Sequence, residues 1–287
     1  MAGFVASMID GLLLGAVYGL AAIGLTLIWG VMNIINLTHG AMIALGMFGV
    51  YLLIAHFGLP AYATLPPVAV GGFLVGVAVY WVAVHRVINR PPLMSLLATF
   101  AVNMMVIGIG TAVWSTSPYN VDISLPGITW SGYTFTGGHM VAALGSVLVA
   151  GALYLFMRHT LLGKAIRAVA SNRQAAELMG IPSSRILSVA FGLGIALAAV
   201  AGGLIATLFP FTILSGGEYQ LKSFVVTVLG GLGNPAGALL GGLLLGLVEG
   251  GVTPFMAVSW TPVIEFGLFV LVLVAFPQGL FGKRTRR

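Results

Sequence analysis

Asn33, Asn36, Thr38 and His39 fall within seven residues of one another in the stretch WGVMNIINLTHGAMIALG at 29–46, with Gly30 and Gly40 on either side. Amide, hydroxyl and imidazole groups so grouped have no carboxylate to exchange protons with, and their chemistry is hydrogen bonding to a polar solute. In surroundings this apolar they are functional candidates by default, because lipid offers polar groups no partners. Irregular backbone at membrane depth is tolerated only inside protein or around a wet cavity, and a broken helix presents amide and carbonyl ends that suit a zwitterion. The same residues also suit a plain cytoplasmic turn with capped helix ends, and the pattern weighs the two equally. His39 makes no metal site, since no carboxylate or second His stands at ligand spacing.

A second group, Gly230, Gly231, Gly233 and Asn234, interrupts LGGLGNPAGALLGG at 229–242. Pro235 is well placed as the first residue of a helix, so a helix end is the simpler account. The two Gly/Asn interruptions nevertheless echo each other, as transporter repeats do. Asn103 sits mid-span in ATFAVNMMVIG, where an interhelical hydrogen bond is favoured over a solute contact.

The third group is charged. GKAIRAVASNRQAAELMGIPSSRI, residues 163–186, carries five of the chain's 18 charged residues. Burying Lys164, Arg167, Arg173, Glu177 and Arg185 in lipid would cost on the order of 15 kcal/mol at about 3 kcal/mol each, so the segment leaves the bilayer. It is rich in helix formers over 164–179 and stops at Gly180, with Pro182 beyond. Ile166, Val169, Ala176 and Met179 recur at helical spacing and form one narrow apolar stripe. Such a helix either lies on the inner leaflet with its cations at anionic headgroups or inserts into a groove of a soluble partner.

Other chemistry is excluded by what is missing. There is no G-x-x-x-x-G-K-[ST] for ATP, no H-E-x-x-H, no G-x-S-x-G and no paired intramembrane carboxylates. The lack of Cys removes disulfides, Cys-ligated zinc and iron–sulfur clusters. A pI of 9.9 suggests nucleic acid at first sight, but there is no soluble basic domain to hold it.

The elements that position these groups follow from composition. Only 6% of the 287 residues are charged against about a quarter in soluble proteins, mean hydropathy is +1.10, and 41 residues are Gly. This is an all-α polytopic membrane protein in which small residues let helices approach closely. Stretches long enough to cross about 30 Å of hydrocarbon lie near 8–30, 40–56, 61–84, 93–114, 139–157, 187–209, 236–252 and 259–277. A ninth at 222–233 is short and ends in glycines, as a broken or tilted helix would. Eleven of the twelve cations fall in three groups, around Arg86, around Arg158–Arg185 and in the C-terminal Lys283–Arg287. The positive-inside rule puts all three in the cytoplasm, hence the N-terminus outside, the C-terminus inside and the short segment counted as a crossing. The first basic residue is Arg86, so the first helix lacks the charged start of a cleaved signal. Asp10 reads as an interface residue, Glu249 and Glu265 as reaching water, and Glu218 and Lys222 as an i, i+4 pair. The 115–138 loop carries Tyr119, Trp130, Tyr133 and Phe135, either an interfacial belt or a seat for an external protein.

The charged segment resembles the cytoplasmic coupling loop of ATP-binding-cassette importer permeases, in which a short helix followed by Gly-Ile sits on the ATPase. Together with GLTLIWGVMNIINLTHGAMIALG at 24–46 and LGGLGNPAGALLGGLLLGLVEG at 229–250, it makes the chain similar, end to end, to the branched-chain amino-acid permeases, close to the first of their two permease subunits. Members of that family typically read Asn-Leu-Ala-His-Gly-Glu where this chain has Asn36 to Ala41, so Thr38 and Ala41 depart from the pattern. The resemblance implies one transmembrane permease domain over 1–287, with residues 158–186 as coupling loop and Lys164, Arg167, Arg173, Glu177 and Gly180 meeting the ATPase. Asn33, Asn36, Thr38, His39, Gly233 and Asn234 are then candidates for the solute path. It implies no cofactor and no catalysis by this chain. The implied partners are ABC ATPase subunits, a second permease subunit and an external solute-binding protein, in the lipid of the plasma membrane and without nucleic acid. Related permeases carry urea, short amides or sugars. The rival reading is an autonomous facilitator or ion-coupled carrier.

Overall fold

The computed structural model describes residues 2–123, 125–130, 133–276 and 279–282; the C-terminal basic group at 283–287 lies outside them. Helices α1 (Ala2–Met32), α2 (His39–Phe57), α5 (Pro92–Trp114), α6 (Gly137–His159), α9 (Ser183–Ala206) and α11 (Pro235–Val252) are joined by α3 (Leu65–Val79), which continues through a π turn at Tyr80–Val84 into α4 (His85–Val87). Among the described residues, seven segments, counting 61–87 as one, are long and apolar enough to cross a membrane. Two shorter helices complete the bundle, α10 (Ser215–Gly230) and α12 (Thr261–Ala275). The ninth segment therefore starts seven residues earlier than its apolar part, at Ser215.

α1 and α9 are the buried axis of the bundle. Both are apolar on all sides, as a helix surrounded by other helices must be. α1 runs antiparallel to α11 along a seam of small residues, Gly11, Gly15 and Gly19 facing Gly246, Gly242 and Leu239. A Cβ at Gly11 would stand 2.2 Å from the Gly246 carbonyl oxygen, so the two backbones touch through spacings of four residues. α9 is clasped by α2 and α3 on another side, and the π turn drives Tyr80 fully inside, 6.2 Å from the Phe191 ring.

The charged stretch expected as one helix over 164–179 is two. α7 (Leu161–Ser171) ends at Asn172, and α8 (Arg173–Leu178) begins there. Asn172 is extended, φ −157°, and its Oδ1 accepts from the Ala175 amide at 3.0 Å, a polar side chain competing for helix amides as N-cap residues do. Thr160 caps α7 by accepting from the Gly163 amide. α8 closes as a Schellman turn: Gly180 at φ +81°, its amide on the Glu177 carbonyl and the Ile181 amide on that of Ala176.

Outside the helices, β1 (Ile128–Trp130) and β2 (Tyr133–Phe135) form a small antiparallel hairpin within the long connection. Tyr119 is no belt residue, since its ring packs 5.2 Å from Phe48 and 4.9 Å from Tyr51, and its backbone pairs with Phe211. Phe135 is likewise buried. The side chains of Trp130 and Tyr133 lie outside the described set.

Candidate functional site

The break between α1 and α2 reaches deep into the bundle. His39 Nε2 lies 2.9 Å from the Ala21 carbonyl oxygen, and Met32, where α1 ends, is eleven residues beyond Ala21, about 16 Å along the axis at 1.5 Å per residue. The six residues 33–38 therefore run back up the side of the bundle, and α2 starts near mid-height of α1. Asn33 turns the chain with φ +53°, its amide on the Trp29 carbonyl; αL is a conformation Asn tolerates better than most side chains.

Neighbouring helices hold this irregular backbone. Thr99 of α5 accepts from the Leu37 amide at 3.2 Å, and its hydroxyl lies 3.3 Å from the Ile35 carbonyl. Gln220 of α10 accepts from the Gly40 amide, taking over a donor at the start of α2 that Thr38 does not cap. Asn36 Oδ1 accepts from the amide and hydroxyl of Thr38. Asn36, Thr38 and His39 are all at most 1% exposed. Since a carbonyl only accepts, His39 donates through Nε2, leaving Nδ1 as an acceptor in the neutral ring. Nδ1 and the Asn36 Nδ2 amide are buried without partners among the described residues. Asn33 stands apart, exposed beside the C-terminal end of α1.

Gly233 and Asn234 sit elsewhere. Asn234 Oδ1 caps α11 by accepting from the Gly237 amide, and its Nδ2 donates to the Phe281 carbonyl. That is the helix end expected from Pro235. The two Gly/Asn interruptions meet all the same: a Cβ on Gly30 would stand 2.9 Å from Gly233 Cα. Gly30, Gly233 and Asn234 line a cavity of about 660 Å³ with residues of α6 and α7.

In the charged segment Ile166, Val169 and Ala176 face the bundle, at 0, 3 and 5% exposed. Met179 does not continue that stripe. The break at Asn172 rotates α8, so that Met179 and Leu178 project outward at 82 and 89% exposed. Leu178 was not singled out from the sequence, although two adjacent large apolar residues before a Gly mark such a tip. Arg173 faces inward: its Nη1 donates to Asn89 Oδ1 at 2.9 Å and its Nε lies 3.2 Å from both Glu177 Oε1 and Ser183 Oγ. Ser183 also donates to Glu177. The Ser183 hydrogen bond, followed by Arg173, holds the Glu177 carboxyl below its ordinary pKa. Arg167 donates to the Met157 carbonyl, and Lys164 is exposed.

The acidic side chains are the largest departure. Lys222 does not pair with Glu218. Its Nζ lies 3.2 Å from oxygens of both Glu249 on α11 and Glu265 on α12, and 4.7 Å over the Tyr18 ring. Glu265 is 3% exposed and does not reach water. The available signal was Lys222 itself, the one cation outside the three basic groups. Asp10 bonds His139 at 3.3 Å. Asn103, expected in an interhelical bond, makes none among the described residues and is half-buried.

The family described as branched-chain amino acid transport system, permease component, matches residues 7–273. The chain is 30% identical to the high-affinity branched-chain amino acid transport system permease protein LivH of Salmonella typhimurium, over 98% of this chain and 96% of that one. It is 29% identical to the corresponding permease protein BraD of Pseudomonas aeruginosa over the same shares. The fructose import permease protein FruG of Bifidobacterium longum is 27% identical over 86% of this chain and 75% of its own. The match spans both Gly/Asn interruptions and the charged loop between them, and the chain belongs to the branched-chain amino acid transport system permease family.

Proposed function

We propose that this chain is the membrane permease subunit of an ATP-driven importer for branched-chain amino acids, working with separate ATPase subunits, a second permease and an external solute-binding protein. The observation that carries the coupling half is the tip of α8. Leu178 and Met179 stand free in water at the end of a protrusion braced by Arg173 to both Asn89 and Ser183, and apolar side chains so exposed fit a groove on a partner. The brace makes the protrusion stiff, so a push on its tip moves α9 and the 88–91 turn together. Glu177 puts a charge beside the tip, Lys164 is exposed on the same segment, and Gly180 shapes the turn that follows.

The permease names of LivH and BraD, over nearly their whole length, favour branched-chain amino acids above sugars as the cargo. A solute with apolar side chain and zwitterionic head suits the break at 33–39. There Asn36 Nδ2 and His39 Nδ1 are buried polar groups with bonding capacity in hand, and they become accessible when the helices part. The basic groups orient the bundle with its N-terminus outside and its C-terminus in the cytoplasm.

The test is uptake of labelled leucine by vesicles holding the assembled complex. Uptake requires the ATPase and ATP, exceeds that of fructose, and falls at least tenfold in Leu178→Glu/Met179→Glu while the protein stays inserted. Full-rate uptake without the ATPase rejects the importer.

A further inference from the structure

Nothing in the proposed coupling or solute path uses the 660 Å³ cavity between α1, α6, α7 and α11. Its geometry is polarised. Asp10 near the start of α1 meets His139 near the start of α6, so the two helices run parallel and their C-terminal ends lie together. Gly30 against Gly233 brings the first turn of α11 to that same end. The cavity therefore has Arg158, Arg167 and the α11 N-terminus at one end, and walls of Ile23, Leu27 and Val147 away from it.

The two arginines are under-used. Arg158 Nη1 donates to the Tyr154 hydroxyl at 3.1 Å and Arg167 Nη1 to the Met157 carbonyl. Neither has a carboxylate within ion-pair distance among the described residues, although a guanidinium carries five N–H donors. The cavity is also open sideways, since Val147 and Tyr154 in its wall are 47% and 58% exposed. On a helix that crosses a membrane, that side faces the bilayer.

We propose that this cavity is a binding site for an anionic phospholipid. The phosphate lies at Arg158 and Arg167, helped by the positive end of α11, and an acyl chain lies along the groove of α1 and α6. Charge complementarity selects the head: two unpaired guanidiniums and a helix N-terminus attract a net negative lipid, and basic pockets between transmembrane helices take such headgroups. The apolar walls select a lipid over a small soluble anion, which would leave them facing water. The site requires neither the solute nor the ATPase, so it stands or falls apart from the importer reading.

The purified complex in nanodiscs of equal phosphatidylglycerol and phosphatidylcholine is examined by native mass spectrometry for lipid retained on this subunit. Phosphatidylglycerol is retained in preference, and Arg158→Gln reduces its retention about fivefold, as expected for one basic contact. Gly151→Phe abolishes it, because a Cβ at Gly151 meets nothing within 4 Å and the ring enters the cavity without straining the helix. Melting in lipid-free detergent reports folding, and Gly151→Phe carries the test if Arg158→Gln melts early. Equal retention of both lipids, or retention unchanged in the folded variants, overturns the proposal. So does displacement of the lipid by leucine, which would give the cavity to the solute, or its absence from the assembled complex, which would give the cavity to another subunit.

Discussion

Lys222 and Glu265 are 43 residues apart on α10 and α12, yet Nζ and Oε1 lie 3.2 Å from each other with both side chains under a tenth exposed. Glu249 approaches the same ammonium from α11. One cation thus ties three helices, two of them short. Removing one partner of a buried pair costs more than the pair is worth, because the remaining charge keeps its desolvation cost.

Lys222→Met is accordingly expected to destabilise the permease by about 3 kcal/mol or more, whereas Glu265→Gln, which leaves Lys222 paired with Glu249, costs far less. Thermal melting of the two variants in one detergent checks the order. Equal melting points would mean that the ion pair does not hold α12.

Thr99 bridges α5 to the re-entrant backbone, and its hydroxyl can be removed without changing its shape. Thr99→Val leaves the Leu37 amide without its side-chain acceptor, at about 1–3 kcal/mol for a buried unsatisfied group. Hydrogen exchange at Leu37 should accelerate by ten-fold or more, with exchange in the α1–α11 seam unchanged.

Glu177 gives the α8 protrusion a pH dependence. Its carboxyl is held low by Ser183 and Arg173, so the unfolded chain takes up its proton first as pH falls. The contribution of this contact is complete above the ordinary carboxylate pKa and is lost as pH drops through the depressed folded value. Exchange protection of 173–183 should hold from pH 7 to 5 and weaken below the normal carboxylate range, and Glu177→Gln should remove that dependence. Gly180→Ala, forced to φ +81°, loosens the same turn by about 1 kcal/mol at every pH.

The spans were legible because lipid imposes a local rule: about twenty apolar residues must follow one another, and a charge must leave. The Gly/Asn interruptions, the charged loop and its Gly180 stop were visible for the same reason. The break at Asn172 was not. Ser171-Asn172-Arg173 reads as tolerable helix, and the decision for an N-cap at Asn172 rests on α8 turning to let Arg173 reach Asn89 and Ser183.

By itself, then, the sequence determined the position and order of the apolar helices, since hydropathy is a property of consecutive residues, but not the lengths of the two short ones, α10 and α12. Which polar groups became partners was left to the tertiary structure. Lys222 with Glu249 and Glu265, Thr99 with Leu37, His39 with Ala21 and Gln220 with Gly40 all join residues distant in the chain. In a dry interior a polar side chain takes whatever donor or acceptor the packing of small residues brings within about 3 Å, and no local pattern encodes which one that will be.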